Sequence, residues 1–160
     1  MRTLQQPLFT PETEWVPPHR LPDLSGHLEI AIDLETRDPN LLTMGSGSVR
    51  RDGEVVGIAV AVEGWSGYFP IAHEGGGNMD RALVLDWFEE LLQTTSTKIF
   101  HNAMYDVSWI RSMGFYINGG IIDTMIAASL IDENRFSYTL DSIGKDYIGM
   151  RKNEKLLQDA

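Results

Sequence analysis

Between Leu28 and Leu34 the chain reads Leu-Glu-Ile-Ala-Ile-Asp-Leu, and this nearly continuous apolar run constrains the fold more than any other stretch. Such a run fits a strand buried on both faces, and therefore a central strand of its sheet. It also carries Asp33 and Glu35, two residues apart. Strand side chains at i and i+2 leave from one face, so both carboxylates project from the same side near the strand's end. That is half of a metal site or a solvated strand end, and residues 29–36 alone leave both open.

The rest of the chain supplies the layers around this strand. Five of the seven prolines, Pro7, Pro11, Pro17, Pro18 and Pro22, fall in residues 1–24. Proline fixes φ and donates no hydrogen bond, so this segment is expected to be an extended arm, with Trp15 and Leu21 clipping it to a domain spanning 25–160. Arg37–Gly53 reads as a loop. Val55–Val62 and Trp65–Ile71 come next as strands across the short Glu63-Gly64 turn, an antiparallel meander with the first. His73–Asn78 is glycine-rich but lacks the Lys-Ser/Thr ending of a phosphate-binding loop. Asn78 or Asp80 can cap the next helix, in which Leu83, Val84, Trp87, Phe88 and Leu91 recur at core-facing spacing. A short strand Lys98–His101 precedes a helix Ala103–Met113, with Val107, Ile110 and Met113 on its apolar face. Ile121–Thr124 leads into a helix through Leu130, and Leu140, Ile143 and Tyr147 mark another that Gly149 closes. Residues 151–160 look like the start of one more. Together these elements make an α/β mixed sheet flanked by helices.

Composition excludes several functions. The 160 residues contain no cysteine, which removes disulfides, zinc-thiolate sites and thiol catalysis. No apolar run reaches the roughly 20 residues of a membrane span, so no membrane partner is expected. The N-terminus lacks a secretory pattern, and a cytoplasmic home is expected. A net charge of −10 opposes a broad duplex-gripping face. It is compatible with acids gathered around cations, whose charge reverses the local sign.

The second informative stretch is Phe100-His101-Asn102-Ala103-Met104-Tyr105-Asp106. Asn102 stands at a strand end and Asp106 four residues on, so both polar groups share one helical face and point back toward the C-terminal edge of the sheet. Capping by Asn102 and dipole complementation by Asp106 would explain them locally. Taken with Asp33 and Glu35, however, they make three carboxylates and an amide at two strand ends, a donor set for Mg²⁺ or Mn²⁺.

Ile32-Asp33-Leu34-Glu35-Thr36 resembles the first motif of the DEDD 3′–5′ exonucleases, and His101–Asp106 resembles their second. Ile122–Met125 and Tyr138–Ile143, with Tyr147-Ile148-Gly149, are similar to the stretch after the second motif in proofreading domains of family A DNA polymerases. The N-terminal arm is similar to the start of the bacteriophage type. The resemblance spans about residues 13–160. It implies a ribonuclease-H-like fold in which two divalent ions, Mg²⁺ or Mn²⁺, hydrolyse the terminal phosphodiester of single-stranded DNA. Asp33 and Glu35 would bind the ion that activates water. Asp106 would hold the second, with Asp33 bridging both. Asn102 would orient the terminal nucleotide or a ligand water, Thr36 would contact the nucleotide, and Leu41 or Leu42 would wedge against the terminal base. The implied partners are a 3′ DNA end and the remainder of the polymerase, in the host cytoplasm if phage-encoded.

The family's third motif, Tyr-x-x-x-Asp or His-x-x-x-x-Asp, is missing. The residues four after Tyr105, Tyr116, Tyr138 and Tyr147 are Trp109, Gly120, Ser142 and Arg151. His101–Asp106 has the spacing but already forms the second motif. The resemblance therefore implies a domain truncated at its C-terminus, with little or no hydrolysis from these residues alone. Asp123, Asp141 and Asp146 read as caps or solvated acids. His19, His27 and His73 read as surface residues, and His101 as a structural neighbour of the site. Trp65, Trp87 and Trp109 fall at core-like spacings. Two alternatives stand beside this reading: a free-standing DNA or RNA exonuclease of the ribonuclease D type, and a non-catalytic module that binds nucleic-acid ends or a polymerase.

Overall fold

The computed structural model describes residues 16–150. Its sheet has the order β3-β2-β1-β4-β5, which puts β1 (Glu29–Arg37) at the centre. β2 (Glu54–Val62) and β3 (Trp65–Pro70) extend it as the expected antiparallel meander. β4 (Thr97–Phe100) and β5 (Ile121–Asp123) add in parallel on the other side. β5 is a separate strand that the sequence reading ran into the next helix.

Burial of β1 on both faces does not hold. Ile30, Ile32 and Leu34 are buried, whereas Asp33 is exposed and Ala31 and Glu35 only half-buried. The strand is central by position yet one-sided by burial. Its apolar side meets Ile58, Val60, Phe69 and Phe100 from the sheet. Covering that side are α3 (Arg81–Gln93), through Val84, Phe88, Leu91 and Leu92, and α4 (Ala103–Ser112), through Trp109 and Ile110. Each such side chain contributes about 1.5–3 kcal/mol by leaving water.

Asp80 caps α3, accepting from the Ala82 and Leu83 amides. Asn78 closes the preceding loop instead. Its side chain accepts from the His73 N–H at 2.7 Å and donates to the His73 carbonyl at 2.8 Å. Leu83, read as part of the apolar stripe, is exposed because the helix turns its Val84–Leu92 side inward. The arm is described from Val16 onward, so Trp15 lies outside the described residues. Leu21 packs on the core, and the Trp87 indole donates to the Pro22 carbonyl at 2.7 Å.

Two four-residue helices, α1 (Leu41–Met44) and α2 (Gly47–Arg50), interrupt the segment read as loop. Arg50 braces it by pairing with Asp38 and Asp52. α5 (Thr124–Ile131) and α6 (Leu140–Ile148) come after β5, and Gly149 closes α6 in the left-handed conformation at φ 69°. The expected stripe on α6 is not buried; none of its residues is. Residues 151–160, read as a further helix, lie outside the described residues. No helix among the described residues is long and apolar enough to cross a membrane.

Candidate active site

The site forms where two strands part. β1 pairs with β4 only through Glu29, Ile30 and Ala31, because β4 ends at Phe100. Beyond Ala31 the β4-facing edge of β1 has no strand to bond, and a buried N–H there needs another acceptor. The Asp106 carboxylate supplies it: Oδ1 accepts from the Leu34 N–H at 3.0 Å. One hydrogen bond thus ties the helix after β4 to the strand that carries Asp33 and Glu35.

Asp106 is buried, at 3% exposure. Burial pushes its carboxyl up to about 7, against the opposing Leu34 hydrogen bond, and the charges of Asp33 and Glu35 push in the same direction as burial. The three acids named from sequence therefore lie within electrostatic reach of one another. Among the described residues, no three carboxylate or imidazole groups converge as ligands of a single point. The donors are all oxygen, and the charges acting on Asp106 are both negative, which is the chemistry a hard divalent cation neutralises.

Asn102 stands at the entry to α4 with φ 68° and ψ 56°, a left-handed conformation that asparagine adopts more readily than most residues. Its side chain makes no capping bond, so the local explanation offered by sequence does not apply to it. Asp123 does that work. Its carboxylate accepts from the amides of Asn102 (3.0 Å), Ala103 (2.8 Å) and Met125 (2.9 Å), and more weakly Ile126. Burial would raise this carboxyl, but the four donors hold it below the ordinary carboxylate range. The expectation of a capping Asp123 holds, with the addition that it also sets the bend bearing Asn102. Asp123→Ala is expected to cost about 2 kcal/mol, at the upper end for a lost cap, as a lowered midpoint in urea unfolding. An unchanged midpoint would refute this double role.

A bulge separates Glu35 from Thr36, since Glu35 pairs with Gly57 but Thr36 with Val55. Bulges re-aim side chains, and here the Thr36 hydroxyl bonds to the Tyr105 phenol at 2.7 Å. Tyr105, unread as a site residue, is thus a second link between the two acidic segments. Leu42 on α1 is 99% exposed and Leu41 38%, so the braced loop presents apolar surface to solvent beyond the acids.

The open sheet face beside Asp33 is a cavity of about 510 Å³, lined by Asp33, Tyr68, His101, Thr124 and Leu140, with small residues such as Ala59 beneath. Thr124 Oγ1 lies 3.1 Å from the Phe100 carbonyl and 2.9 Å from His101 Nδ1, which ties the ring to the end of β4 and the start of α5. The other ring nitrogen, Nε2, is buried and without a hydrogen-bond partner among the described residues. His73, read as a surface histidine, is half-buried instead, and its Nε2 bonds the Tyr68 hydroxyl. Trp109 is a core residue as expected, whereas Trp65 and Trp87 pack against the core partly exposed.

A family model described as 3′–5′ exonuclease matches residues 20–159. Over its whole length the chain is 37% identical to a DNA-directed DNA polymerase of Pseudomonas phage M6, and it spans 25% of that protein. Among solved structures, Brucella melitensis NrnC with bound Mg²⁺ is similar to 81% of the chain at TM-score 0.58 and 20% identity, over 58% of that protein. Escherichia coli RNase D, an exoribonuclease, is similar to 81% of the chain at TM-score 0.58 and 16% identity, over 30% of its own length. At these identities the two structures speak for the fold alone, the ribonuclease-H-like arrangement expected from sequence.

Proposed function

The chain belongs to the 3′–5′ exonuclease family, and on that premise we propose that it is the proofreading exonuclease domain of a phage-type DNA polymerase, acting on single-stranded DNA 3′ ends. The observation that carries the reading is Asp106 Oδ1 on the Leu34 amide, which holds the third acid against the strand bearing the other two. The polymerase assignment is supported by the phage relative. The ribonuclease D alternative has fold likeness behind it and no more.

Asp33, Glu35 and Asp106 are proposed to hold two divalent cations. Bound there, such ions would stabilise the attacking and leaving oxygens of an in-line phosphodiester displacement. The Mg²⁺ in NrnC's structure supports a divalent requirement. The chain's own contribution is positional. Leu34 fixes the Asp106 carboxylate, the strand period puts Asp33 and Glu35 on one face, and Asp123 sets the turn from which Asn102 reaches the incoming nucleotide. Leu42, with Leu41 beside it, is the surface against which a terminal base would pack, and Thr36 stands between them and the acids. Residues 1–24 are proposed as an N-terminal arm to the domain that begins near residue 25, clipped to it through Leu21 and the Trp87–Pro22 bond.

Calorimetric titration with Mn²⁺ tests this directly, because binding does not depend on a third motif. We expect saturable heat in the wild type and none in Asp33→Ala. Any Mn²⁺-dependent trimming of 3′-labelled single-stranded DNA should fall by about a thousandfold or more in that variant, several kcal/mol of lost charge stabilisation. Equal Mn²⁺ binding by both proteins would overturn the cation reading.

A further inference from the structure

Tyr68 and His73 form a polar pair on the open face that the family reading does not use. The ladder places Asp33, Ala59 and Tyr68 in one row and Glu35, Gly57 and Pro70 in the next, so these side chains share the face of the acids. The residues of β2 between the acids and Tyr68 are the two smallest. A Cβ on Gly57 would stand 1.8 Å from the Tyr68 oxygen, which shows that the phenol crosses β2 over this glycine. Gly57 is the ladder partner of Glu35. Paired Cβ positions lie about 5 Å apart, so the hydroxyl stands within hydrogen-bonding reach of a glutamate carboxylate on the partner strand.

The other side of the phenol is gripped. His73 Nε2 bonds the Tyr68 oxygen, and the rings meet edge-on at 5.8 Å and 67°. His73 is in turn fixed by the reciprocal bonds to Asn78 across the glycine-rich turn. A phenol keeps its proton at neutral pH and so is available as a donor.

We propose that Tyr68 is a positioning residue for the acidic pair: His73 donates from Nε2–H to its oxygen, and the phenol presents its one proton to Glu35, fixing where that carboxylate stands. The inference rests on the reading of Asp33, Glu35 and Asp106 as cation ligands. The groups that orient metal-binding carboxylates typically change affinity about 10- to 100-fold when removed.

The test uses the 160-residue chain and Mn²⁺ alone, comparing wild type, Asp33→Ala, Tyr68→Phe, His73→Ala and the Tyr68→Phe/His73→Ala double variant by calorimetry. Thermal unfolding is measured in chelator. Tyr68→Phe should weaken Mn²⁺ binding about tenfold with its metal-free Tm kept within a few degrees. His73→Ala should weaken it less, and the double variant no more than Tyr68→Phe, because His73 acts through the phenol. Wild-type affinity in Tyr68→Phe overturns the proposal, as does a double variant whose loss equals the product of the single losses. Should Tyr68→Phe fail to fold, His73→Ala decides, with unaltered affinity refuting the relay. Undiminished binding in Asp33→Ala would instead remove the cation reading beneath it.

Discussion

Asp106→Asn is expected to make the metal-free protein more stable at pH 8, by about 2 kcal/mol or roughly 6 °C in Tm, while abolishing Mn²⁺ binding. Asparagine keeps an oxygen for the Leu34 amide, so the tether survives. What disappears is a buried negative charge. The carboxyl sits up to about 7, from an ordinary 3.8, because of burial first and then, among the raising influences, the charges of Asp33 and Glu35. A raised acid pKa means the folded protein keeps a proton that the unfolded chain releases. Wild-type stability must therefore fall as pH rises from the ordinary carboxylate range to about 7, and level off above it. The full shift sets a ceiling of about 4 kcal/mol, and we expect about half, because a buried site relaxes around a charge and responds with an effective dielectric well above that of a dry interior. The asparagine variant lacks this slope, so its advantage should be complete at about pH 8 and gone near pH 4. Unfolding curves in chelator across that range provide the check. Parallel wild-type and variant profiles would show that Asp106 carries no such charge cost. A gain in stability matched by a loss of cation binding is the pattern of a residue kept for chemistry against the interest of the fold.

Asp33, Glu35 and Asp106 stand out in the sequence because each rests on a local period: two residues in a strand for the first pair, four in a helix between Asn102 and Asp106. Asp106's depth was not legible, since it depends on β1 outrunning β4 by several residues, a fact of ladder length rather than pattern. His73 looked like a surface residue because its partner lies on a neighbouring strand, and the phenol reaches it only over Gly57. The one-sided burial of β1 is hidden in the sequence for a related reason. Ala31 reads as core but lines an open face with Ala59 and Ala61, and composition does not distinguish a small buried residue from a small floor under a cavity. α1 and α2 are each four residues, too short to show a helical period. Asp123 reads as a cap or a solvated acid because capping is local, whereas its hold on the Asn102 turn spans two elements.

Lys98 is the residue whose replacement should damage the fold most. It shares a row with core-facing Ile30, is fully buried, and sends its ammonium to the end of α3. Nζ donates to the Thr94 carbonyl at 2.5 Å and hydroxyl at 3.0 Å, the Ser96 carbonyl at 3.1 Å and the Asn118 carbonyl at 2.9 Å. These acceptors come from the C-terminus of α3, the turn into β4 and the turn into β5, so one cation joins three segments where helix carbonyls concentrate negative charge. Methionine would keep the apolar stem and leave the carbonyls buried without a donor. At about 1–3 kcal/mol for each acceptor left unsatisfied, partly offset by relief from burying a charge, Lys98→Met should cost about 3 kcal/mol and lower Tm by roughly 10 °C. The loss should also be felt at the acids. β4 is the platform from which α4 delivers Asp106 to Leu34, so the Leu34 amide should exchange its proton faster in the variant, while amides of the β2–β3 ladder keep their protection relative to global stability. A Tm within about 2 °C of wild type would show that the three carbonyl-bearing turns hold together without the lysine. Unaltered Leu34 protection despite a lowered Tm would instead separate the clamp from the site.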